Sequence, residues 1–121
     1  MKTSRIFTHS VALCAVLSAA ALLSAPTFAA TSKITVNGMV CAFCAQGIEK
    51  RLGKLPATKN LYVDLKQKVV VVEPKDGQTL DEKLLRAEIT DAGYDVVKIE
   101  SSPQSVAVIK AELQAAAKAK K

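Results

Sequence analysis

The stretch Lys33-Ile34-Thr35-Val36-Asn37-Gly38-Met39-Val40-Cys41-Ala42-Phe43-Cys44 sets the reading of the whole chain. Its first five residues alternate polar and apolar, with Ile34 and Val36 on one side, the pattern of a short half-buried strand. Asn37-Gly38 breaks that pattern. Cys44, Ile48, Leu52 and Leu55 then recur at i, i+4, i+8 and i+11, one face of a helix that Pro56 ends. The stretch is thus a strand, a loop and a helix start, with two cysteines at the loop–helix junction.

Downstream, Leu61, Val63 and Leu65 alternate again, and Lys66-Gln67 fits a tight turn. The run Val69-Val70-Val71-Val72 follows, four β-branched residues closed by Pro74 and Gly77. Thr79 and Glu82 stand at capping-box spacing before a second helix, with Leu85, Ile89 and Ala92 on one face. Gly93 sits where a helix C-terminus takes a left-handed residue. Tyr94 to Glu100 alternates as a last strand. The order strand, helix, strand, strand, helix, strand predicts an α+β, ferredoxin-like βαββαβ sandwich, with a four-stranded antiparallel sheet and two helices on one face. Residues 30–100 form this domain.

Both flanks differ in character. Residues 1–29 read as an export signal. Lys2 and Arg5 stand without an acid, Ser10 to Ala25 is uncharged and apolar, and Thr27-Phe28-Ala29 has the small residues of a cleavage site near Ala29. The apolar run is shorter than the roughly 20 residues that span a bilayer. A periplasmic location follows. Residues 101–121 open with Ser101-Ser102-Pro103 and become rich in Ala and Lys, with Val106, Ile109 and Leu113 as a thin apolar edge. Composition favours a partly helical or disordered, solvated tail; the edge leaves open a helix that docks on a partner or on an anionic membrane surface.

The net charge of +6 invites a nucleic-acid reading. Its distribution removes that reading. The signal carries two basic residues and no acid. The tail carries Lys110, Lys118, Lys120 and Lys121 against Glu112. Residues 30–100 keep 11 basic and 10 acidic side chains. The one histidine, His9, lies in the signal, so the exported chain has no Ser-His or Cys-His catalytic pair and no histidine-based zinc site. The chemistry left is that of Cys41 and Cys44. Helix-terminal N–H groups favour their thiolates, the form that binds soft metals and attacks disulfides.

The residues Gly38-Met39, Cys41 and Cys44 opening a helix, with Asp91-Ala92-Gly93-Tyr94 after the second helix, resemble the heavy-metal-associated domain family. The exported single-domain form looks most like its periplasmic mercury-binding and copper-chaperone members. The resemblance implies that Cys41 and Cys44 are metal ligands, that Met39 supports the loop from inside, and that Tyr94 packs beside the site. It implies a carrier rather than an enzyme: a monomeric protein receiving one soft ion and passing it to a metal-transporting membrane protein or another CxxC carrier. Val40 stands where the family usually has Thr, Phe43 where Ala is common, and Ala57-Thr58 where Gly-Val is usual.

Soft thiolates suit Cu(I) and, by the same softness, Hg(II). Zn(II) prefers four ligands, and the sequence offers only Asp95 as a third. Phe43 falls off the Ile48–Leu52 stripe, either as part of a docking patch or as a shield over the sulfurs. The competing use of the same cysteines is thiol-disulfide oxidoreduction, against which stand the short chain and the lack of a Trp before the pair or a Pro within it.

Overall fold

The structure is a computed structural model, and it describes residues 29–121. The expected signal falls almost wholly on residues 1–28, outside the described residues. Strand β1 (Thr31–Asn37) leads through the cysteine loop into helix α1 (Ala42–Gly53). Strands β2 (Thr58–Asp64) and β3 (Val69–Pro74) form a hairpin. Helix α2 (Glu82–Asp91), strand β4 (Asp95–Ser102) and a further helix α3 (Val106–Ala119) complete the chain. The sheet order is β2-β3-β1-β4 with every pairing antiparallel. The expected α+β sandwich is present.

The core lies where the alternation put it. Ile34, Val36, Val70 and Val72 of the two central strands pack with Ile48 and Leu52 of α1 and Leu85 and Ile89 of α2. Leu55 lies just beyond α1 and still packs on this core. Helix α2 is capped by Asp81 rather than Thr79: the Asp81 carboxylate accepts the Lys83 N–H at 2.8 Å. The physical reason is visible one residue earlier. Leu80 and Leu85, flanking the cap at the staple positions, both join the core, which fixes where the chain enters the helix. At the other end Gly93 takes φ +91°, the Gly93 N–H donates to the Thr90 carbonyl and the Tyr94 N–H to the Ile89 carbonyl. That pair of bonds is a Schellman closure.

The other sheet face differs from the expectation of a solvated tail. Val69 and Val71, alternating with Val70 and Val72, point away from α1 and α2 and are buried under Val106, Ile109 and Leu113 of α3. All four valines of β3 are therefore inside, two on each face. Polar contacts fix the helix at its start and midway along it: the Val106 N–H donates to the Glu73 carboxylate at 3.0 Å, and Gln67 Nε2 donates to the Leu113 carbonyl at 2.6 Å. Lys110 Nζ lies 5.1 Å from the centre of the Tyr62 ring. The thin apolar edge that could have met a lipid surface is thus occupied by the protein's own sheet.

Two contacts orient the molecule. Thr31 pairs with Ser102 at one end of the sheet. At the opposite end, where β1 runs into the cysteine loop, the Val36 N–H donates to the Lys68 carbonyl in the β2–β3 turn at 2.9 Å.

Candidate metal centre

Cys41 is the N-cap of α1, and Cys44 lies in its first turn. Cys41 Sγ accepts the Cys44 N–H at 3.3 Å, so a sulfur does the work usually given to a Ser or Asp oxygen at this position. The two residues are joined as a disulfide, with Cα atoms 5.2 Å apart. Cys41 is exposed; Cys44 is half-buried and packs against the core. The pair therefore sits at the molecular surface on a rigid element, one sulfur open to solvent and the other backed by protein.

The loop before the pair is held from three sides. Met39 is fully buried in the main core, as a side chain supporting the loop from beneath must be. Asn37 Oδ1 accepts the Gly38 N–H at 3.0 Å. Gly38 takes φ +85°, and a Cβ there would sit 3.6 Å from Tyr94 Cδ1. Tyr94, placed by the α2 closure at Gly93, thereby covers the loop from the α2–β4 side.

Around the sulfurs the surface is apolar and uncharged in the first turn: α1 has no acidic residue there. Phe43 is 83% exposed and Val40 80% exposed. Phe43 stands out into solvent, which does not fit a shield folded over the sulfurs. Val40 was not singled out by sequence reasoning as a surface residue. Its signal is its position in a loop, where neither a strand face nor a helix stripe is available to bury it. Asp95 begins β4 and is exposed, and among the described residues no group of three or more His, Cys, Asp or Glu side chains comes together to hold a metal ion. The candidate site offers the two sulfurs of Cys41 and Cys44.

The sequence profile of the heavy-metal-associated domain matches residues 33–95, just over half of the chain. The chain belongs to the heavy-metal-associated domain family. The match spans the strand-loop-helix unit and ends at the start of β4, so α3 lies beyond it. Among relatives of this family, the COP-associated protein of Helicobacter felis is 36% identical over 66 residues, covering 52% of this chain and 92% of that protein. The mercuric transport protein periplasmic component of Acinetobacter calcoaceticus is 37% identical over 78 residues, covering 63% of this chain and 85% of that protein. The chain also matches the mouse copper-transporting ATPase 1 at 32% identity, but spans only 5% of that protein's length. Among solved structures, the CopZ metallochaperone superposes with a TM-score of 0.52 at 28% identity, covering 55% of this chain and 98% of CopZ. Residues 33–95 thus carry the heavy-metal-associated domain.

Proposed function

We propose that this protein carries one soft metal ion, Cu(I) or Hg(II), on the thiolates of Cys41 and Cys44 and passes it to a metal-transporting membrane protein or to another CxxC carrier. The observation that carries the reading is the pair itself: two sulfurs at the exposed start of α1, on a loop anchored by a buried Met39, with no third ligand grouped beside them among the described residues. A two-sulfur site suits soft ions and leaves Zn(II) short of its tetrahedron. The copper- and mercury-related names of the relatives support the same two ions.

Carriage follows from exposure. The ion is the cargo. A partner thiolate attacks it from the open side, a three-sulfur arrangement forms, and one of the original sulfurs leaves and takes up a proton as the incoming thiol gives one up. The ion is never free. Loading requires both sulfurs reduced and deprotonated, so affinity falls as pH falls and disappears in the disulfide form. Residues 1–29 serve as the export leader, removed near Ala29, and the carrier works in the periplasm. The mercuric periplasmic relative supports that compartment.

The test is a titration of the reduced, anaerobic protein with Cu(I), Hg(II) and Zn(II) against competing chelators, repeated on Cys44→Ser. One soft ion per molecule, with a large loss of affinity in the variant, is expected. Failure to bind either soft ion at one per molecule overturns the carrier reading. Insulin reduction at ordinary enzyme concentrations would instead favour thiol-disulfide exchange.

A further inference from the structure

Strand β2 is an edge of the sheet, paired only with β3. Half of its backbone N–H and C=O groups face outward. Among the described residues, no hydrogen bond outside the β2–β3 ladder takes a backbone group of residues 59–64. A groove runs along this edge, bounded on one side by α3.

Two clefts make up the groove. One, of about 490 Å³, is lined by the consecutive residues 62–66 and by Gln114, Ala117, Lys118 and Lys121. The other, of about 380 Å³, is lined by residues 59–62 and by the first turns of α3 from Ser105 to Lys110. Consecutive strand residues point to opposite faces, so a cleft lined by all of them views the strand edge-on, where its backbone is. The α3 residues of the first cleft, 114, 117 and 118, form one stripe of the helix, which Lys121 extends just past its end. Low-numbered β2 residues meet the start of α3 and high-numbered ones meet its end, so strand and helix run in parallel. Their lengths agree: seven strand residues rise about 23 Å, and 14 helical residues about 21 Å.

The charge in the groove is predominantly positive: Lys59, Lys66, Lys110, Lys118 and Lys121 against Asp64 and Glu73. Lys66, Lys118 and Lys121 make no salt bridge among the described residues. The two acids along the groove are already engaged: Asp64 accepts the Gln67 N–H at 3.0 Å, and Glu73 accepts the Val106 N–H. We propose that the β2 edge and α3 form a docking groove for an extended, acidic segment of a partner protein, which adds to the sheet beside β2. Backbone bonding supplies affinity, and every second side chain of the segment faces the α3 side of the groove, where carboxylates meet Lys118 of α3, Lys121 just past it and Lys66 of the β2–β3 turn. A second copy of this chain fits less well. Antiparallel pairing of two β2 edges would bring the Lys66, Lys118 and Lys121 end of one copy against the Lys59 and Lys110 end of the other. No lining residue belongs to the cysteine loop, so a partner held in the groove leaves the sulfurs open.

The test uses the isotope-labelled, reduced chain and two short peptides, one alternating glutamate with valine and one alternating lysine with valine. The glutamate peptide is expected to bind at least tenfold tighter. Its amide shifts should be confined to residues 59–66 and 105–121, with slowed hydrogen exchange at the outward β2 amides. Combined Lys66→Glu, Lys118→Glu and Lys121→Glu should reverse the peptide preference; all three side chains are on the surface, and the circular dichroism of the variant checks its fold. Equal binding of the two peptides, or shifts centred on the Gly38–Cys44 loop, overturns the proposal. So does dimerisation through β2 without peptide, which assigns the edge to a second copy. Absence of peptide binding together with aggregation of the reversed variant also overturns it, leaving the lysines as guards of a bare edge.

Discussion

Replacing Leu113 by alanine isolates the contact that holds α3 to the sheet. Leu113 is 4% exposed and packs with Ile109 and Val106 over Val69 and Val71. The substitution removes three buried carbons, worth about 2.4 kcal/mol at ~0.8 kcal/mol each. A cavity adds to this where the surroundings cannot settle. Settling is restricted here, because the Leu113 carbonyl is held by Gln67. The expected loss is about 2–3 kcal/mol, which corresponds to a drop in Tm of roughly 10–20 °C for a domain of this size. Val108→Ala, on the same helix but 45% exposed, serves as control and should stay within about 0.5 kcal/mol. The assay is urea unfolding followed by circular dichroism, beside native-state hydrogen exchange of the Val69, Val71 and α3 amides. A loss registered by exchange in α3 alone would mean that the helix opens as its own unit. If Leu113→Ala and Val108→Ala behave alike by both measurements, α3 is not docked and the reasoning fails.

Four further outcomes are expected. Met39→Ala should cost about 2–5 kcal/mol in urea unfolding, whereas Met39→Leu should cost less than about 1.5 kcal/mol, because the loop rests on the volume of that buried side chain. Gly93→Ala forces a side chain to φ +91° and should cost about 1–2 kcal/mol by the same measurement; a neutral result would remove the closure argument at the end of α2. Asp81→Ala should cost about 1 kcal/mol, with Thr79→Ala close to neutral, and the reverse order would restore Thr79 as the cap. Phe43→Ala should leave metal affinity within about threefold and slow transfer to a partner CxxC domain, as expected of an exposed side chain that is not a ligand; equal transfer rates would exclude Phe43 from docking.

Much of this architecture was legible because period and burial coincide. Ile34 and Val36 alternate and are buried; Ile48 and Leu52 recur at helical spacing and are buried; Gly93 marks a left-handed closure and occupies one. The position of the candidate site was legible as a motif, since two cysteines at a loop–helix junction place one of them at the cap of α1. The cap of α2 was misread because Thr79 and Asp81 both offer an oxygen, and the choice rests on the burial of Leu80, a tertiary fact. The fate of residues 101–121 was misread for a different reason. Val106, Ile109 and Leu113 name an apolar edge but not its partner. The partner was written elsewhere, in four consecutive valines: a strand with one face in water alternates, and one that does not alternate is covered on both sides.

The paired contacts at the two ends of the sheet bear on how the protein can be labelled. The chain enters the sheet at Thr31, beside Ser102, and β1 then runs seven residues, about 23 Å, toward the cysteine loop. A fluorophore or affinity handle placed ahead of Thr31 therefore sits a full strand length from the sulfurs. Helix α3 runs in the same direction as β1, ending where Lys121 lines the same cleft as Lys66 of the β2–β3 turn. That turn is tied to β1 just before the loop through Val36 and Lys68. A polyhistidine handle after residue 121 would bring foreign metal ligands to the end of the molecule that holds Cys41 and Cys44, and would distort any measured affinity; a handle on the amino-terminal side would not.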